Sequence, residues 1–434
     1  MKRIISFVFS AALLIASYGT ANAGALSELA ANSGGAKPNS VPAVSGQKTV
    51  SSIIAPGAEW LVMVYIAGMN NLGLYGEAFN NLNQMEKGLF DAGTDGSGVR
   101  LIVEYGEMAA NDQGMSTISE YLRTLLVTPD NDMNKIGSRV MRVSRMADTG
   151  DVKTLEKFVR SVKPRFPSKK TALIIWNHGG GIVGIASDDI YGSMMNLKNL
   201  SATLKTLTNQ FGKFDILATD ACLMQMSSIA YEFKDYAKVI IGSEQPIPGA
   251  GYPYYGLVRV LAAHGSQLDA KGFGKILVEG YGQQYRSMGN VTLSAVDTSK
   301  LPGFVNMLDK WAGLMLEDEE SFKIISKANV LKEVARMDSL DSSRDLIHMI
   351  HIINKQKGVS ENIKDAGRDL ENYITNNLLV ASYASEVNEN FGMAIYLPDL
   401  EYEMKPYEAL KFSTDSKWRL FVRKVLQSRL DNGW

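Results

Sequence analysis

Between residues 171 and 244 the apolar positions follow a repeating order. Ala172-Leu173-Ile174-Ile175-Trp176 is an unbroken apolar run of strand length, ended by Asn177-His178-Gly179-Gly180-Gly181. Leu197, Leu200, Leu204, Leu207 and Phe211 then recur at helical spacing, and Gly212 follows as a stop. A second apolar run, Phe214 to Ala218, leads into Asp220-Ala221-Cys222. The pattern predicts a strand, helix, strand crossover. Such crossovers make parallel neighbours, so His178 and Cys222 should emerge together at the C-terminal edge of one sheet, where open α/β sheets hold their sites.

The rest of the chain extends this pattern. An apolar strand is predicted over residues 60–66, a helix over 74–90, a strand over 99–105, an edge hairpin from 117–127 and 137–143, and a helix over 151–162 capped by Asp151. A helix from 222 to about 236 and a strand at 239–242 complete about five parallel strands. Beyond them the periodicity predicts a helix over 268–288, a strand over 291–296, three or four amphipathic helices within 300–379, a strand over 391–397 and a last helix over 416–430. This describes an α/β fold, a parallel sheet with helices on both faces, in which residues 58–260 form the core and residues 261–434 a mostly helical extension with added strands.

The N-terminus stands apart. Met1-Lys2-Arg3, an apolar run over 4–18 and Ala21-Asn22-Ala23 make residues 1–23 a secretory signal peptide, since the run is shorter than the roughly 20 residues a membrane span needs. Residues 24–57, rich in Ala, Ser, Gly and Pro, read as a flexible leader. The mature protein is therefore expected to be secreted or periplasmic, with no membrane attachment once the signal is removed. Lys+Arg 45 against Asp+Glu 46 gives no basic field for nucleic acid. A single cysteine in an exported chain builds no internal disulfide, which turns attention to the chemistry of Cys222.

A cysteine nucleophile acts as a thiolate. In the first turn of the helix predicted from residue 222, Cys222 would have a dipole favouring that charge, and His178 would serve as base and then as acid for the leaving amine. The N–H groups of Gly179 and Cys222 are candidates for an oxyanion hole. Gly179-Gly180-Gly181-Ile182-Val183-Gly184 also satisfies the G-x-G-x-x-G spacing of a dinucleotide site. That reading fails on context: the loop runs into turn residues, Ser187-Asp188-Asp189, where a helix is required, and Asn199 stands where an acid is needed. Asp220 fits an N-cap of the following helix, and Glu244 is a second acid at the same sheet edge. His348 and His351, three apart with Asp345 nearby, lack a Glu or Cys to complete a metal set, and His264 suits a helix end.

Trp176-Asn177-His178-Gly179, Asp220-Ala221-Cys222, Ser243-Glu244 with Gly251-Tyr252-Pro253-Tyr254, and Asn70-Asn71-Leu72 resemble the clostripain-like cysteine peptidases, of the caspase, gingipain and legumain clan. The resemblance spans about residues 60–418. It implies a caspase-like fold and an endopeptidase with His178 and Cys222 as its dyad, acting on peptide or protein substrates. It also implies a preference for Lys or Arg before the cut bond, with Asp220 as the selecting acid; Glu244, from its place at the same sheet edge, is the second choice. Arg is expected ahead of Lys because its fork meets a carboxylate with two hydrogen bonds. No cofactor is required, and calcium is possible but unsupported by the residues. The sequence departs from the family pattern at Met69, where relatives carry Asp, and in residues 179–197, which lack Lys and Arg for self-cleavage. These departures define the alternative, a catalytically silent member that binds peptide or a protein partner in the same cleft.

Overall fold

The computed structural model describes residues 57–93, 98–110, 116–118, 121–145, 147–337, 342–385, 391–399 and 404–431. The signal peptide and all but the last residue of the leader lie outside them. The strands are β1 (Ala58–Gly68), β2 (Val99–Ala110), β3 (Ser116–Ile118), β4 (Tyr121–Leu126), β5 (Arg139–Arg145), β6 (Ser168–Trp176), β7 (Ile185–Asp188), β8 (Ser193–Met195), β9 (Phe214–Asp220), β10 (Ala237–Gly242), β11 (Thr292–Asp297), β12 (Ser343–Asp345), β13 (Leu379–Ala384) and β14 (Ala394–Tyr396). One sheet runs in the order β13-β11-β10-β9-β6-β1-β2-β4-β5, with β3 paired to β2. Its five central members, β10, β9, β6, β1 and β2, are parallel, as the apolar runs predict. Antiparallel strands extend both sides, including the expected β4–β5 hairpin at one edge.

The central strands read as continuous apolar runs because each of their faces meets a core. In β1, Leu61, Met63, Tyr65 and Ala67 enter one core, while Trp60, Val62, Val64 and Ile66 enter the other. Helices Glu77–Ala92, Tyr254–His264 and Ala270–Gln284 bury their apolar residues in the second core. Helices Val152–Val162, Leu197–Phe211 and Ser227–Phe233, with the C-terminal helices, cover the first.

Two differences from the expected pattern lie after residue 260. The helices expected within 300–379 stop at Leu378, and residues 379–384, for which the pattern predicts no strand, form β13, the sheet edge beside β11. The run at 391–397 does give a strand, β14, yet it pairs with β12 away from the main sheet. The division at residue 260 therefore separates no layers: β11 and β13 continue the sheet that β10 belongs to, and residues 55–434 make one unit.

Candidate active site

The site begins with register. β6 and β9 are neighbouring parallel strands with Trp176 opposite Asp220, and Asn177 N–H donates to Asp220 O at 3.2 Å. The residues that follow, His178 on one strand and Cys222 on the other, leave the sheet side by side. Gly179 makes this approach feasible: a Cβ there would stand 2.1 Å from Cys222 O and 3.1 Å from Cys222 N. Ala186 N–H donates to His178 O at 3.0 Å and Gly180 N–H to Gly184 O at 2.9 Å, a bridge that leaves the N–H of Gly179 out of its bonding.

The His178 ring has a partner that the sequence did not assign. Nε2 lies 2.6 Å from Asn71 Oδ1, at the start of the short helix Asn71–Leu74. An amide oxygen only accepts, so Nε2 carries the hydrogen and Nδ1 the lone pair. Asn70 caps that helix by accepting Leu72 N–H at 3.0 Å, and its amide donates to Ala67 O and Ser187 O. Asn177 ties the same loops: its Oδ1 accepts from His178 N and from Ser187 N at 3.0 Å, and its amide donates to Ala67 O and to Ser187 O at 2.9 Å. Asn70-Asn71 was visible as a motif, but a bond spanning 107 residues has no sequence signal of its own. Burial lowers the His178 pKa to about 4, so the imidazole is neutral at ordinary pH.

Cys222 does not open a helix. The next helix is Ser227–Phe233, with Met226 at its N-cap and no side-chain cap. The intervening residues run against the segment leaving β10: Leu223 N–H donates to Gln245 O at 3.3 Å and Gln225 N–H to Ser243 O at 2.9 Å. Leu223 has φ +63°, which interrupts helical geometry. The helix dipole expected to favour the thiolate is therefore absent, and the Asp220 side chain caps nothing there. A different donor is present, since Ile247 N–H reaches Cys222 Sγ at 3.3 Å.

The two acids have separate surroundings. Asp220 is buried, with Oδ2 accepting from Tyr252 N–H at 3.0 Å and Tyr254 OH at 2.9 Å, and burial raises its pKa to about 7. Glu244 is also buried, but its Oε2 accepts from Gly392 N–H at 2.8 Å and its carboxyl faces that of Asp345, so it serves the C-terminal region. Met69 is buried, and its backbone O accepts from Asp189 N–H at 2.9 Å. His348 Nδ1 accepts from Ala335 N–H at 2.9 Å and His351 Nε2 meets Glu371 at 2.8 Å, so the pair does not converge. His264 ends the helix Tyr254–His264.

The chain is similar to several known proteins. Clostripain of Hathewaya histolytica is 22% identical over 323 residues, which span 60% of this chain and 59% of that protein's length. An inactive zymogen C11 protease from Parabacteroides distasonis superposes with a TM-score of 0.63 at 20% identity, covering 84% of this chain and 99% of that one. A secreted C11 cysteine protease from Bacteroides thetaiotaomicron, solved with an irreversible peptide inhibitor, gives 0.61 at 20% identity, with 84% and 99% covered. The model of the clostripain family matches residues 64–427, and with the strand order and paired strand ends described above, the chain belongs to the clostripain family of cysteine peptidases.

Proposed function

We propose that the chain is an exported cysteine endopeptidase in which His178 and Cys222 act as a dyad and Asp220 selects Arg or Lys before the cut bond. The observation that carries the reading is the register of β6 and β9, which brings a neutral imidazole of fixed tautomer and a thiol to one sheet edge. Export is supported by the residue pattern over 1–23. The peptide-inhibited relative supports a peptide substrate.

The chemistry follows from the tautomer. With Nε2–H held by Asn71, Nδ1 takes the Cys222 proton and the sulfur attacks the peptide carbonyl carbon. The N–H groups of Gly179 and Cys222 face the oxygen that gains negative charge. The imidazolium, steadied by Asn71 Oδ1, returns the proton to the leaving nitrogen as the C–N bond breaks, leaving a thioester. Water then gives its proton to Nδ1 and attacks the thioester, releasing the acid and restoring the thiol. Because His178 is neutral at rest, Nδ1 acts as a general base on a thiol and no standing ion pair is required.

The test is hydrolysis of a fluorogenic peptide mixture by the mature protein, with and without a thiol alkylator. Cys222→Ala and His178→Ala should each reduce turnover to background in a folded protein, and the double variant should lose no more than either single one. Activity retained by Cys222→Ala overturns the dyad. A preference for Asp, Asn or Gly before the cut removes the basic pocket alone.

A further inference from the structure

Asp220 is enclosed by tyrosines whose hydroxyls differ in one respect. Tyr252 OH donates to Thr219 O at 2.7 Å, Tyr285 OH to Gly251 O at 2.7 Å, and Tyr254 OH to Asp220 Oδ2. Tyr281, buried among them with ring centroids 4.6 Å from Tyr285 and 6.4 Å from Tyr252, has a hydroxyl with no hydrogen-bond partner among the described residues. Asp220 Oδ1 is likewise enclosed and without a partner among them. Leaving two buried polar atoms unsatisfied is costly, and a site that keeps both is shaped for a ligand that satisfies them. The two groups belong to one locality: Tyr285, whose ring centroid lies 4.6 Å from that of Tyr281, donates to Gly251 O, and a Cβ on Gly251 would stand 3.2 Å from Asp220 Oδ1.

The carboxylate is unevenly occupied. Oδ2 already accepts two donors, one from Tyr252 N–H and one from Tyr254 OH, which fills its lone pairs. A guanidinium fork needs both oxygens of a carboxylate for its paired bonds, and here one is taken. An ammonium is a point charge with three donors and needs only convergent acceptors. Oδ1 and the Tyr281 oxygen supply two, and the surrounding ring faces favour a cation.

Resting on the reading that Asp220 selects a basic side chain, we propose that Asp220 Oδ1 and the Tyr281 hydroxyl together hold a substrate ammonium, so that the chain cuts after Lys in preference to Arg. Tyr254 enforces the choice by occupying Oδ2. Access requires residues 245–251 to lift, since Ile247 N–H lies on Cys222 Sγ and Gly251, at φ +67°, lies against Asp220, where a Cβ would stand 2.7 Å from Oδ2.

The experiment compares fluorogenic peptides identical except for Lys, Arg or norleucine before the cut. The expected result is kcat/KM for Lys about tenfold above Arg, the effect of one charged hydrogen bond. Tyr281→Phe, which keeps the ring, should lower Lys turnover about tenfold, mainly through KM, with Arg little changed. Tyr254→Phe opens one lone pair of Oδ2, the other staying with Tyr252 N–H, and should move the ratio toward Arg. Equal or faster cleavage after Arg, with a ratio insensitive to Tyr254→Phe, overturns the ammonium proposal and leaves the basic pocket standing. Norleucine cut as well as Lys overturns the pocket itself. No hydrolysis of any of the three overturns both.

Discussion

Asp220 and Glu244 are two carboxyl groups buried at the same sheet edge, following neighbouring strands, and they illustrate how similar burial serves different ends. Burial raises both pKa values. Glu244 faces a second carboxyl, and two carboxylates cannot both ionise at close range, so a shared proton closes the contact between them. Asp345 accepts backbone N–H from His348 at 2.7 Å and Phe391 at 2.6 Å, donors that favour its charged form, which leaves the proton on Glu244. Glu244 Oε1, like Asp220 Oδ1, has no hydrogen-bond partner among the described residues, so that pair is closed only by its shared proton. Asp220 has one oxygen fully bonded and the other without a hydrogen-bond partner among the described residues. On the proposed reading, what separates the two acids is the neighbour: Glu244 faces a second carboxyl and Asp220 does not, since neither exposure nor pKa direction distinguishes them.

The comparison is broken most directly by removing one charge. Asp220→Asn keeps an acceptor for Tyr252 and Tyr254 but leaves a substrate ammonium without its counter-charge, and kcat/KM for Lys peptides should fall roughly 10²- to 10³-fold with norleucine peptides little affected. Comparable losses for both peptides would show that Asp220 only shapes the loop. Asp345→Ala should do the reverse. It strips the N-cap of helix Leu346–Lys355 and the acceptor of Phe391 N–H, and chemical denaturation should show about 3 kcal/mol less stability with an unaltered preference before the cut.

Two smaller effects sharpen the contrast through pH. In the free protein Asp220 ionises near pH 7, so kcat/KM for Lys peptides should climb through about pH 7, while norleucine peptides should lack that limb and decline only towards the His178 value near 4. Superimposable profiles for the two peptides would remove Asp220 from recognition. Stability follows the same group with opposite consequence. A carboxyl whose folded pKa is raised contributes stability below its unfolded value, about 3.8, that is lost as pH rises to about 7. Asp220→Asn should therefore gain stability at pH 8, by no more than about 4 kcal/mol, and gain little at pH 4. Thermal melts at both values read this directly, and a loss at pH 8 would mean that the charge is met inside the folded chain.

Much of this architecture was legible because the central strands alternate between two cores and so keep their polar residues mostly to their ends, which makes the middles of β1, β6 and β9 clear apolar runs. The placing of His178 and Cys222 followed from strand order alone. The helix at Cys222 was misread because Leu223, Met224 and Met226 are apolar in any backbone state, and Leu223 at φ +63° is set by the partner segment at 243–245. β13 was missed because residues 379–384 are only half-buried on an edge, where the alternation is weak. The contacts of greatest chemical weight, Asn71 with His178 and Glu244 with Asp345, join residues about a hundred positions apart, and no local pattern encodes them.

Glu244 has one further consequence, which concerns where the protein can be divided. The segment that covers Cys222 through Ile247 and Asp220 through Gly251 starts at Glu244, and Glu244 is fastened to Asp345 and Gly392. β14, next in the chain, bonds to the cysteine segment itself, with Ala394 N–H on Gln225 O at 3.1 Å and Ser227 OH on Ala394 O at 2.8 Å. The C-terminal region is thus the anchor of the site's cover. A fragment ending near residue 260 keeps His178, Cys222 and Asp220, but it loses what holds their roof in place.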